Sequence, residues 1–409
     1  MTETADILIL GGGFSGLWGA ANAVDVAREN NATLAVTLVS PSEHLIMRPR
    51  LYEANPSALR RPLQPLLGPL GIDFVQGTAT SISTAEKLVQ VQTKVGIRPI
   101  RYRKLVLATG SNLSKLPITG AAELSWNVDS YPAAKAFDDH LAALAEAGPD
   151  EAANTFVIVG AGMVGIELAT ELRDRIAEHA GHETAERARI ELVERGAAVG
   201  PLFGDEPRPV IEAAMAAARV NVRLDTEVTQ ITAESAILRG GEVIPTRSVI
   251  LAAGMVANDL TMQVPGKRDA LGRLYVDETL RVLDVPDVFA SGDVANAKVD
   301  GSHTALMACQ NSQTMGKYVG RNVAADLLGL AYTPYSQADY TTCLDLGRFG
   351  ALYTEGFERK LVAYGDQVGP REETAKQRKR RINEREIYPP DPGPAEAMLS
   401  RFRIDSRGR

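Results

Sequence analysis

The chain is 409 residues long, 45% apolar and 23% charged, which is enough for two or three domains that each bury a core. Lys plus Arg number 44 against 51 Asp plus Glu, a net charge of −7 that argues against a basic nucleic-acid footprint. No stretch approaches the ~18 apolar residues that span a bilayer, no leader pattern precedes the first strand, and the two cysteines are too few for a disulfide framework or a structural zinc site. A cytoplasmic location is expected, with no transmembrane segment, no metal and no nucleic-acid partner.

Ile7 to Leu10 reads as a short buried strand, and Phe14 to Arg28 follows with helical spacing. Between them stands Gly11-x-Gly13-x-x-Gly16. The first glycine permits a tight turn, the second lets backbone approach a pyrophosphate, and the third lets helix pack close to strand. The helix N-terminus then offers NH groups and positive potential to the phosphates. "LAVTLVS" at 34–40 is a second strand and completes a βαβ unit, the context that lifts this motif above an ordinary glycine turn. The acid expected at the end of that second strand is missing. Ser40 stands there with Glu43 three residues on, so either supplies the ribose contact.

A proline-rich stretch follows, with strand patterns at 72–76, 87–95 and 104–112. The last contains "LATG", with Ala108, Thr109 and Gly110. "FVIVGAGMVGIELATEL", 156–172, then repeats the first device with Gly160, Gly162 and Gly165. A strand at 155–159, a helix at 164–179 and a strand at 189–195 frame it. Glu194 is placed to accept from an adenosine ribose and to repel a 2′-phosphate, so NADH is favoured over NADPH; Arg195 leaves room for the latter. Further strands are expected near 220–231, 236–238 and 248–254, where "LAAG" ends at Gly254. The run 272–295 contains Ala290-Ser291-Gly292-Asp293. A helix-like segment from about Thr304 to Leu328 and an antiparallel sheet over 335–365 come next. From Arg371 the chain is polar and basic, expected to be poorly ordered unless docked, and Lys376 to Arg381 reads as a solvated helix face.

Two nucleotide turns in one chain are explained by a hydride passing between a diffusible nicotinamide and a bound flavin. With the two glycine motifs, "LATG", "LAAG" and Gly292-Asp293 in this order, residues 5 to about 328 resemble the two-dinucleotide flavoprotein reductases. The resemblance implies an α/β fold of two Rossmann-like domains plus a small C-terminal α+β region. Residues 1–115 and 266–330 would form the FAD-binding domain, 116–265 the NAD(P)H-binding domain, and 331–409 the C-terminal sheet and tail. It implies FAD contacts from Phe14, Ser15, Arg48 and Asp293, the last on the ribityl chain.

The stretch after the first βαβ unit has no cysteine where disulfide reductases carry their redox pair, and the cysteines of sulfide:quinone reductases are not matched by Cys309 and Cys343. The "FxGxxxHxxx(W/D)" pattern of Baeyer–Villiger monooxygenases is not found. The type II NADH dehydrogenase branch fits better. "MRPRLYE" at 47–53 is similar to its "HxFQPLLYE", and Ala305, Ala308 and Gln310 agree with its "AQxAxQQ", although Leu306 and Asn311 replace two glutamines. That resemblance implies a helix starting near His303 to Ala305 that faces the flavin, with Ala305, Ala308 and Gln310 as flavin or acceptor contacts. It gives Glu167 a part in nicotinamide binding and proton delivery.

The implied activity is hydride transfer from NADH to FAD, then two electrons to a quinone or other small organic acceptor without a redox cysteine pair. Alternatives are a reductase feeding a small iron–sulfur protein and a slowly turning over redox sensor like apoptosis-inducing factor; a homodimer is an open option. The prolines from Pro389 onward replace the branch's amphipathic anchor helix and argue against stable membrane docking.

Overall fold

A computed structural model describes residues 3–146, 148, 150–337, 340–369 and 372–404. Its first sheet places strands Asp73–Gln76, Val36–Ser40, Glu3–Leu10 and Gly96–Leu107 side by side in parallel, with Val288–Ala290 also parallel to Gly96–Leu107. The register sets Ile7 beside both Val36 and Lys104. Ile7, Leu8 and Ile9 are wholly buried, the continuous apolar run expected of a parallel strand covered on both faces. Leu88–Thr93 and Thr78–Ser83 extend the sheet antiparallel. The strand expected at 104–112 is therefore longer and earlier, and it ends at Leu107. After the turn at 108–110, Ser111–Leu113 pairs antiparallel with Met255–Ala257.

A second parallel sheet runs Val220–Arg223, Arg189–Val193, Thr155–Val159, Ser248–Leu251. The antiparallel sheet expected after residue 335 is present as Thr341–Asp345, Ala351–Glu355 and Lys360–Tyr364. The helix Phe14–Glu29 packs directly on Cys309–Leu328, and glycines allow the contact: a Cβ on Gly320 would lie 2.2 Å from the Gly19 carbonyl oxygen. The close approach joins the first βαβ unit to the helix after Asp293, and the Ser15–Ser291 hydroxyl pair, 276 positions apart, ties the same unit to the turn just before Asp293.

Two tail expectations are corrected. Residues Ala395–Phe402 form an amphipathic helix after the prolines. Its apolar face is spent on the protein: Met398, Leu399 and Phe402 are buried, and Phe402 packs edge-on against Trp18 at 5.3 Å. Arg403 clamps Asp25 through Nε at 2.9 Å and Nη2 at 2.8 Å. The basic run is no solvated face either, because Arg378 and Lys379 are buried and paired with carboxylates. Among the described residues, no helix is long and apolar enough to cross a membrane.

Candidate functional site

The two glycine turns are built alike. In each, the third glycine meets the first: a Cβ on Gly16 would sit 1.8 Å from the Gly11 carbonyl oxygen, and one on Gly165 would sit 1.9 Å from that of Gly160. Gly11 and Gly160 themselves have φ of 116° and 107°, which favours glycine. The middle glycines differ in kind. Gly13 and Gly162 have nothing within 4 Å of an added Cβ, and each is the N-cap of a long helix with no side-chain cap and no acid in its first turn. Uncapped NH groups over open space are a phosphate cradle. The residues present therefore fit a dinucleotide at each turn.

Around the first turn, Ser40 lies against the loop, since a Cβ on Gly12 would come 2.7 Å from its Oγ, whereas the Glu43 side chain is 64% exposed and faces His44. The Thr109 hydroxyl is buried with no partner among the described residues, a group left for a ligand to satisfy. Gly110 beside it has φ 69°. Asp293 accepts from Ser111 Oγ at 2.7 Å and from Ser312 Oγ at 3.2 Å, with Arg48 Nη1 at 3.7 Å. Arg48 also donates to Ser111 Oγ and to the Asp129 carboxylate. Ser15, Gly292 and Ser312 adjoin, with an added Cβ on Gly292 reaching Ser15 Cβ at 3.1 Å and Ser312 Oγ at 3.2 Å. Phe14 turns into the core beside Trp18.

At the second turn, Glu194 is fixed by two backbone donors, Ala161 NH to Oε2 and Gly196 NH to Oε1, each at 2.8 Å. Its carboxylate keeps lone pairs for a ribose. Gly254, with φ 73°, accepts through its carbonyl from Ser114 NH where the chain crosses between the halves.

The helix expected to start near 303–305 begins at Cys309, with Ala308 as an uncapped N-cap. Ala305 lies in the strand-like turn before it. Its NH donates to Ala297 O and its carbonyl accepts from Arg273, so its backbone is already used. His303 stacks on Phe357 at 4.4 Å and bonds Asp300. The backbone NH groups of Cys309 and Gln310 turn to the Cys309 sulfur, and both polar atoms of the fully buried Asn311 side chain lack partners among the described residues.

Glu167 and Gln310, far apart in sequence, are held by one strand. Thr341 NH donates to Gln310 Oε1 at 3.4 Å, Cys343 O accepts from Lys379 Nζ at 3.1 Å, and Asp345 NH donates to Glu167 Oε1 at 3.0 Å. Lys379 Nζ closes the set on Glu167 Oε1 at 2.6 Å, and both side chains are buried. Burial raises the Glu167 carboxyl to about 7, although Lys379 pulls it down. Burial works against the Lys379 charge, but Glu167 more than restores it and the ammonium is raised above its ordinary value. Sequence reading missed Lys379, Asp345 and Tyr52, whose ring lies 5.6 Å from Lys379 Nζ; only the family-like "LYE" hinted at Tyr52. Among the described residues, no group of three or more His, Cys, Asp or Glu is placed to hold a metal.

The model of the pyridine nucleotide-disulphide oxidoreductase family matches residues 5–316. An NADH dehydrogenase-like protein of Mycobacterium tuberculosis is 39% identical, with 96% of this chain and 97% of that protein covered. The demethylphylloquinone reductase of Synechocystis is 26% identical, with 85% of each chain covered. In fold, the chain is similar to NDH2 from Plasmodium falciparum, solved in complex with NADH, with a TM-score of 0.77, 14% identity, and 98% and 97% of the two chains covered. The chain belongs to the pyridine nucleotide-disulphide oxidoreductase family and is an NADH-dependent flavoprotein oxidoreductase.

Proposed function

We propose that the protein is an FAD-dependent NADH:quinone-type reductase acting in the cytoplasm, with residues 1–115 and 266–330 binding FAD and 116–265 binding NADH. The observation that carries the acceptor class is the buried Glu167–Lys379 pair. A quinone-like acceptor takes two protons with its two electrons, whereas an iron–sulfur partner takes electrons alone. A carboxyl raised to about 7, held by the same Thr341–Asp345 strand that holds Gln310, serves the first and has no use in the second. The names of the relatives, a demethylphylloquinone reductase among them, support the same class.

FAD, when bound, supplies the two-electron chemistry between NADH and the acceptor. The chain's own residues do the rest. The NH groups behind Gly13 and Gly162 hold pyrophosphates, and Glu194 accepts from the nicotinamide cofactor's ribose. Asp293, tied to Ser111 and Ser312, fixes a ribityl hydroxyl, and Thr109 offers its unpartnered hydroxyl. The N-terminus of the Cys309–Leu328 helix holds negative charge where electrons accumulate. Gln310 orients the acceptor, and Glu167 gives it a proton. Steady-state NADH oxidation with a water-soluble benzoquinone, a ferredoxin and oxygen tests this reading. Benzoquinone is expected to turn over fastest. Preference for ferredoxin, or slow turnover with every acceptor, would replace the reading with one of its two alternatives.

A further inference from the structure

Asp129 belongs to neither glycine turn, yet it is joined to Asp293 through Arg48 and Ser111. Arg48 lies between the two acids and grips both sides. Its Nε donates to the Asp129 carbonyl oxygen at 3.0 Å, and its Nη2 donates to the Asp129 carboxylate at 2.5 Å. Its Nη1 points the other way, to Ser111 Oγ at 2.8 Å, and Ser111 donates to Asp293 Oδ2 at 2.7 Å. Ser312 donates to the other Asp293 oxygen at 3.2 Å. Only a rigid guanidinium fork can hold two partners in this way.

Asp129 is itself fixed from the opposite side. Three residues before it, Trp126 adds to the edge of the second parallel sheet, beside Ile250. The Trp126 NH donates to Val249 O and its carbonyl accepts from Leu251 NH, both at 2.8 Å. Asn127 Oδ1 accepts from the Asp129 NH at 3.1 Å, and Ser130 caps the helix Tyr131–Ala143. A short run of chain and hydrogen bonds therefore leads from the sheet that carries the second glycine turn to Asp293.

The Arg48–Asp129 pair is poorly suited to a role in stability alone. Its side chains are 28% and 23% exposed, and a partly exposed ion pair adds little to folding. What it does is set a direction. Arg48 Nη1 stops 3.7 Å from Asp293 Oδ2, beyond hydrogen-bond reach, while its partner Nη2 is turned onto Asp129. Without the Asp129 carboxylate, the guanidinium is drawn onto Asp293, where a two-pronged pair would fill the lone pairs that the two serines leave open.

We propose that Asp129 is a positioning residue for the flavin site: it holds Arg48 away from Asp293, whose carboxylate stays available to a ribityl hydroxyl. The proposal rests on the reading of Asp293 as the ribityl contact. Asp129 acts through Arg48, without touching the cofactor.

The test follows release of FAD from the diluted holoenzyme by the fluorescence of the freed flavin. Asp129→Ala should weaken FAD retention about tenfold, the worth of one hydrogen bond to a charged group. Arg48→Gln removes the rival charge together with its grip, so it should weaken retention less. The double variant Asp129→Ala, Arg48→Gln should match Arg48→Gln alone and so recover part of what Asp129→Ala loses. The loss of a plain structural tie would instead leave the double variant at least as poor as Asp129→Ala. The visible circular dichroism of the flavin still bound should change in Asp129→Ala and move back in the double variant. If Asp129→Ala fails to fold, the near-isosteric Asp129→Asn takes its place with the same order expected. Wild-type retention in the Asp129 variant, or a double variant no better than it, overturns the role of Asp129; the ribityl reading stands if Asp293→Ala loses FAD. Wild-type retention in Asp293→Ala overturns both.

Discussion

Lys379 Nζ stands 2.6 Å from Glu167 Oε1, with both side chains buried, so one end of the basic C-terminal helix reaches into the helix that follows the second glycine turn. Burial raises Glu167 and Lys379 lowers it, with a balance near 7. Benzoquinone reduction is therefore expected to fall as pH rises through about 7, as the acid form is lost. Removing the ammonium leaves burial unopposed. In Lys379→Met the alkaline limb should move to higher pH, while Lys379→Arg should keep it near the wild-type position. Stability follows the same sign. A folded pKa above the ordinary carboxylate value gives stability that is full below about 4.5 and lost as pH rises through the folded value. The deficit in Tm of Lys379→Met should therefore widen from pH 5 to pH 8. A limb that moves to lower pH would show that the pair's electrostatics are misassigned.

The two kinds of glycine in each turn should separate in experiment. Gly162 has open space around an added Cβ, so Gly162→Ala should fold with a Tm near wild type while KM for NADH rises, because the methyl enters the phosphate cradle. In Gly165→Ala the Cβ meets the Gly160 carbonyl oxygen at 1.9 Å, so strand and helix must part and the variant should lose Tm as well as NADH binding. Thermal melting and NADH titration check both. Equal Tm losses in the two variants would count against the cradle assignment.

The glycine turns, the parallel sheets and the C-terminal antiparallel sheet were legible because each rests on contiguous pattern: apolar runs, glycine spacing, alternation. The helix start at Cys309 was not, because Ala305 owes its conformation to Ala297 and Arg273, partners the local sequence does not announce. Lys379 lies 212 positions from Glu167, and a charged run looks solvated until the carboxylates that neutralise it are folded against it. Tyr52 and Asp345 share this property: their meaning comes from what surrounds them. Glu167 was singled out by the resemblance to type II NADH dehydrogenases, but its partners could not be.

The tail helix should stabilise the first βαβ unit from outside. Phe402 is 1% exposed, meets Trp18 edge-on, and its carbonyl accepts from Asn22 Nδ2 at 3.0 Å. Phe402→Ala is expected to cost about 3–5 kcal/mol in denaturant unfolding if the site does not collapse. Because Trp18 is one of only two tryptophans in the chain, its emission should shift with loss of the ring. The Phe14–Glu29 helix begins at Gly13, the proposed flavin-phosphate site, so flavin retention on dilution should fall as well. Unchanged stability would mean that the helix is not docked as described.

The last expectation concerns the thiols. A disulfide relay needs a thiolate next to the flavin and a second cysteine to resolve it. Burial pushes Cys309 up to about 11, though Lys379 draws it down, and pushes Cys343 up to about 12. Both are free and hold their protons at neutral pH, which makes them poor nucleophiles. Cys309 opens the Cys309–Leu328 helix, but Cys343 lies in the C-terminal sheet, with its side chain in the small cluster of Ala351, Tyr353, Ala363 and Ala375. The double variant Cys309→Ser, Cys343→Ser should thus retain most of its benzoquinone turnover, with a modest loss from placing a hydroxyl in each apolar setting. Alkylation of the wild-type enzyme under native conditions should be slow and should not track activity. A thousandfold fall in acceptor reduction, with flavin content and NADH binding intact, would falsify direct transfer and assign one of these thiols to the electron path.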